Sequence, residues 1–182
     1  MSFKTLMASA AVALALPVAA NAAMFDNCTG FTLSSTGDGS VNVLGSGFSQ
    51  CAFTLTGSDT ASGLTLFTAT ADVSYLVDFD WSYSTQDQDG SSFDPAGYTV
   101  DGALTQLTVS LAPPAFQDGA DSFKVIAGQE FGWYVNSTDG ILGAADLDVF
   151  SNFTVVPLPA GGLLLLTALG GMAVVRRRRK AA

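Results

Sequence analysis

The chain has 182 residues, 48% hydrophobic and only 13% charged, with a formal net charge of −9 and no histidine. The missing imidazole excludes Ser-His and Cys-His nucleophile pairs, histidine-ligated zinc and imidazole acid–base catalysis. All 16 acidic residues lie between Asp26 and Asp148, where Lys124 is the one base, and a segment of net charge −15 repels nucleic acid.

From the N-terminus, Lys4 precedes an apolar stretch from Leu6 to Ala20, broken only by Ser9 and Pro17, and then Ala20-Asn21-Ala22. A short apolar run behind a cation and before a small-x-small site predicts a signal peptide over residues 1–22, and therefore export. In an oxidising compartment the two cysteines, Cys28 and Cys51, read as one disulfide.

Residues 23–154 read as one acidic β-rich ectodomain. Val73, Tyr75, Val77, Phe79, Trp81 and Tyr83 fall at every second position with polar residues between them except at Leu76, which predicts a strand with one wet face. Leu147, Val149, Phe153 and Val155 repeat the pattern, with Ser151 in register. Shorter alternations sit at Leu64-Leu66, Leu107-Val109-Leu111, Phe123-Val125-Ala127 and Phe131-Trp133-Val135. Turn signals such as Asp89-Gly90, Asp101-Gly102, Asp118-Gly119 and Asp139-Gly140 separate them. The predicted fold is all-β, an antiparallel sandwich or jelly roll.

Within that domain Asp87, Asp89 and Asp94 are candidate Ca²⁺ ligands, because hard oxygens around a Gly90 bend suit that ion. The segment lacks the third alternating ligand and the distal glutamate of an EF-hand. Trp81, Tyr83 and Trp133 share faces with aliphatic residues and read as core, while Tyr98 and Tyr134 are the freer candidates for stacking on sugar. Glu130 is the one glutamate, and Asp78 and Asp80 share an outward face, so a glycosidase pair has little to stand on.

The C-terminus, residues 155–182, has three parts: Val156-Pro157-Leu158-Pro159-Ala160, an apolar run over 161–175, and Arg176, Arg177, Arg178, Arg179 and Lys180. The apolar run with Ala160 would span about 24 Å as a helix, and a cationic cluster beside it acts as a membrane stop. This tail closely resembles the VPLPA-CTERM sorting signal, a variant of the PEP-CTERM class of Gram-negative bacteria. The resemblance implies an exosortase-type processing enzyme as partner, with Val156 to Ala160 as its substrate sequence. Asp80 to Gly90 and Phe93 to Tyr98 also look like a segment recurring in β-sandwich ectodomains of such sorted proteins.

The expectation is thus a non-enzymatic exported surface or matrix protein with one C-terminal transmembrane helix. It would be anchored in the inner-membrane bilayer before processing and then serve in envelope, biofilm or exopolysaccharide architecture. The alternative from another class is a calcium-dependent carbohydrate-binding module.

Overall fold

The computed structural model describes residues 22–44, 50–87, 90–111 and 115–156. A short 3-10 segment, Ala22–Cys28, leads into β1 (Thr32–Ser35), β2 (Ser40–Val43), β3 (Cys51–Thr56), β4 (Gly63–Thr70) and β5 (Tyr75–Thr85). These are followed by β6 (Ala96–Val100), β7 (Ala103–Gln106), β8 (Ala115–Val125), β9 (Glu130–Ser137) and β10 (Ala145–Val155). Two five-stranded sheets result, ordered β1-β4-β9-β6-β7 and β2-β3-β10-β5-β8, with every pairing antiparallel.

The period-two pattern explains how the sheets stack. Tyr75, Val77, Phe79 and Tyr83 of β5 turn inward and are buried, while Asp78, Asp80 and Ser84 between them are exposed. Leu147, Val149, Ser151 and Phe153 do the same on β10, which pairs with β5 along eleven positions. From the facing sheet, Phe131, Trp133 and Val135 of β9 close the layer. Burying these side chains is worth about 1.5–3 kcal/mol each before entropy is counted.

The core is unusually rich in aromatic rings. Phe25 meets Phe31, Tyr75 and Phe131 edge-on at centroid distances of 5.5, 5.3 and 5.3 Å. That anchors the segment before β1, and the Cys28–Cys51 disulfide ties the same segment to the start of β3.

Gly140 holds a turn that only glycine fits. Its φ is +66°, and a Cβ there would stand 2.4 Å from the backbone carbon of Ala61. Gly140→Ala should lower stability by about 2 kcal/mol, since strain and a backbone clash combine. Urea unfolding monitored by circular dichroism measures it; an unchanged midpoint would mean that this loop is not packed as described.

Several expectations need correction. Residues 107–111 form no strand, and Val109 and Leu111 are 61% and 43% exposed. Asp118 and Gly119 are not a turn but lie inside β8. On β4 the core face is Phe67 and Ala69, while Leu64 and Leu66 are only half-buried.

The transmembrane part of the predicted fold is also corrected. Among the described residues no helix is long and apolar enough to cross a membrane. Inner-membrane anchoring, with the lipid bilayer as partner, loses its structural support accordingly. The predicted leader up to residue 21, Pro157 to Ala160 of the tail motif, the apolar run 161–175 and the stop Arg176 to Lys180 lie outside the described residues. Val156 is described, as an exposed residue just past β10, its N–H donating to the Ser74 carbonyl at 2.8 Å.

Candidate functional site

At one end of the sandwich the chain leaves β5 at Thr85 and returns into β6 at Ala96, bringing Asp87 and Asp94 inside. They are 0% and 1% exposed, which is rare for carboxyl groups. The Asp87 N–H donates to the Thr85 hydroxyl at 3.0 Å, and the Gly90 N–H donates to the Asp87 carbonyl at 3.2 Å, folding the segment back on itself. The Tyr83 hydroxyl donates to the Asp94 carbonyl at 2.9 Å, and the Thr85 hydroxyl donates to Asp94 Oδ2 at 3.4 Å.

Burial is the chief reason that the Asp94 pKa is pushed up to about 6, with the charge of Asp87 and, less strongly, that of Asp139 adding to it. The hydroxyls of Ser137 and Thr85 pull the other way. Among the described residues, every charged group acting on Asp94 is therefore another carboxylate. Ser137, from the end of β9, is fully buried, and its hydroxyl faces this carboxyl without reaching hydrogen-bond geometry with any group among the described residues.

Of the three predicted calcium ligands, two are thus brought together, and Asp89 lies outside the described residues. Among the described residues no group of three or more Asp, Glu, Cys or His side chains is arranged to hold a metal. The donor set is instead two carboxylates with the hydroxyls of Thr85 and Ser137. These hard oxygens fit a calcium ion by type, and the orphaned Ser137 hydroxyl leaves a lone pair for one. Sequence reasoning missed both hydroxyls. They sit at inward positions at the ends of β5 and β9, where a polar residue breaks an apolar face, and that break was the available signal.

The aromatic candidates redistribute. Trp133 and Tyr83 are core residues at 0% and 1% exposure, as expected. Tyr134 is not free but 4% exposed, and Tyr98 stacks on Phe123 at 4.7 Å and 14°. Trp81 is half-buried, as Tyr98 is: its indole rests across Gly119 of β8, three ring atoms lying 3.1–3.2 Å from where a Cβ would stand. Any larger residue at 119 would displace the ring. On the outer face of the same sheet, Asp78, Asp80, Ala120, Asp121, Ser122 and Asn152 border an open groove of about 430 Å³.

No family model matches the chain, and no curated protein matches it. Solved structures do. A family 35 carbohydrate-binding module of Abf62 from Cellvibrio japonicus is 11% identical with a TM-score of 0.39, covering 69% of this chain and 84% of that one. A β-(1,4)-mannanase of Podospora anserina that carries such a module matches at 19% identity and a TM-score of 0.36, covering 72% of this chain and 26% of that one. A family 35 module from Clostridium thermocellum matches at 14% identity and a TM-score of 0.33, covering 66% and 87%.

Similarity at this level transfers no residue from one chain to the other. It nevertheless corrects the recognition made on the tail. The solved structures reported are carbohydrate-binding modules, and the expected membership of the VPLPA-CTERM group and the exosortase partner are corrected accordingly. The role in surface or matrix architecture that depended on them is withdrawn too. The carboxyl groups that meet, Asp87 and Asp94, are buried and so do not form an exposed pair of the kind a glycosidase needs.

Proposed function

We propose that the protein is a calcium-dependent carbohydrate-binding module. The observation that carries this reading is Asp94, buried beside Asp87 and the Ser137 hydroxyl, with only carboxylates acting on it among the described residues. A carboxyl group in the place of Asp94 is stabilised by a counter-charge, and Lys124 is the sole base between residues 23 and 175. A bound calcium ion would supply that charge, held by Asp87 and Asp94 with the hydroxyls of Thr85 and Ser137 in reach.

Sugar recognition would then fall to the half-buried indole of Trp81, a flat apolar surface lying over Gly119. The acidic surface favours neutral glycans over anionic ones.

A glycan array or polysaccharide pull-down, run with calcium and again with chelator, tests the reading. Binding should be lost on chelation, and Trp81→Ala should weaken it by roughly tenfold or more, with Trp81→Phe, which keeps an aromatic face on the core, retaining more of the binding than Trp81→Ala. Glycan binding that is indifferent to chelator would remove calcium from the account, and no binding to any neutral glycan would remove the function.

A further inference from the structure

The sheets have four edges, and they are treated unequally. β1, β2 and β7 are four residues each, whereas β8 runs for eleven at the edge of its sheet. Short edge strands offer little to pair with, and a long one is a template.

Which groups β8 offers follows from its neighbours. The Val156 N–H donates to the Ser74 carbonyl and the Gln86 N–H to the Ala144 carbonyl, so the even residues of β5 face β10 and its odd residues face β8. Those odd residues pair with odd residues of β8, from Thr85 with Ala115 to Tyr75 with Val125. The N–H and C=O groups of Phe116, Asp118, Ala120, Ser122 and Lys124 therefore point at the open edge. Consistent with this, the Ser122 N–H donates not to β5 but to the Asp121 carboxylate at 2.7 Å.

The geometry points to a two-fold dimer in which β8 pairs antiparallel with β8 of a second copy, Ala120 opposite Ala120. The sequence is self-complementary in that register. Phe116, at 64% exposure the most exposed large apolar side chain among the described residues, lies opposite the second copy's Lys124, whose stem can cover it. Asp118 lies opposite Ser122 and diagonal to that same lysine, which puts the domain's one cation beside a carboxylate. Asp121 falls opposite Gly119 and so avoids its own copy. Moving the centre to residue 121 would set two aspartates face to face, and moving it to 119 would leave Lys124 beyond the end of the partner strand.

Two features oppose pairing and set its conditions. Asp121 must release the Ser122 N–H, and two domains of net charge −15 repel each other, so the dimer should be favoured by added salt.

Cysteine cross-linking in the full chain reads the register directly. Opposed residues in a hydrogen-bonded antiparallel pair have Cα atoms about 5.5 Å apart, within the roughly 4.4–6.8 Å of a disulfide. At about 0.5 M NaCl, where screening is strong, Ala120→Cys should form covalent dimers roughly tenfold or more faster than Phe116→Cys, which faces Lys124. Ala120→Pro removes an edge-facing N–H, a change that an edge strand tolerates, and should abolish the dimer mass seen in sedimentation without lowering the unfolding midpoint. Equal cross-linking rates for the two cysteine variants, or a single-chain mass for the unmodified protein at that salt, would overturn the proposal.

Discussion

Asp94→Asn is expected to make the calcium-free protein more stable at pH 7, by up to ~3 kcal/mol. The carboxyl titrates near 6 in the folded chain against 3.8 in the unfolded one, so between those values the folded state holds a proton that the unfolded state has lost. Its contribution to stability is intact below about pH 4, falls as pH rises through 6, and is gone at pH 7. Asparagine keeps the oxygen that accepts from Thr85 and removes the charge. Wild type without calcium should therefore lose stability between pH 4 and pH 7, and Asp94→Asn should not.

Calcium completes the test. If the ion occupies the site, it should raise the wild-type melting temperature at pH 7 by an amount of the same order, roughly 10 °C for ~3 kcal/mol in a domain of this size. It should do little for the asparagine variant. Calorimetry across pH, with and without calcium, separates the outcomes. A wild type as stable without calcium at pH 7 as at pH 5 would show that Asp94 is not buried as described.

The second large effect is expected from the disulfide. Replacing Cys28 and Cys51 together by serine frees a loop with a sequence separation of 23 residues. In the chain-entropy model this lowers stability by about 3 kcal/mol. The loss should be local in character, because the bond holds the segment that carries Phe25, and the 1% exposure of that ring depends on the segment staying down. Without the bond, residues 22–31 should open ahead of the sheets. Amide exchange should then show early loss of protection at Asn27, whose N–H donates to the Gln50 carbonyl, and at Phe31, while β9 and β10 keep theirs. Uniform loss across all strands would instead make the segment part of a single cooperative unit.

The sandwich was legible wherever alternation was strong. β5 and β10, predicted from Val73 to Tyr83 and from Leu147 to Val155, pair along their whole length, although Val73 itself falls before the strand begins at Tyr75. β1 and β2 were not legible. Thr32–Ser35 and Ser40–Val43 are short, exposed edges with little apolar signal, and their pairing is dictated by β4 and β3. Gly119 misled for a related reason. Asp-Gly ordinarily marks a turn, but here the missing side chain makes room for Trp81 inside a strand.

The site was half legible. Asp87 and Asp94 were found from spacing, yet nothing in the spacing said that they would be buried or that hydroxyls from β5 and β9 would join them. That arrangement depends on where strand ends meet, which a local motif does not encode. The tail misled most. A five-residue match with an apolar run and a basic end pointed to a sorting family, while the structural likeness lies in the domain between the termini.

The two tryptophans occupy opposite environments, and light will tell them apart. Trp133 sits in a box of phenylalanine rings, 5.4 Å from Phe53 and 5.5 Å from Phe79, so its emission should be blue and inaccessible to soluble quenchers. Trp81, half-buried over Gly119, should emit further to the red and be quenched more readily. The protein thus carries a built-in pair of reporters: one colour follows unfolding of the interior, and the other follows whatever settles on the indole.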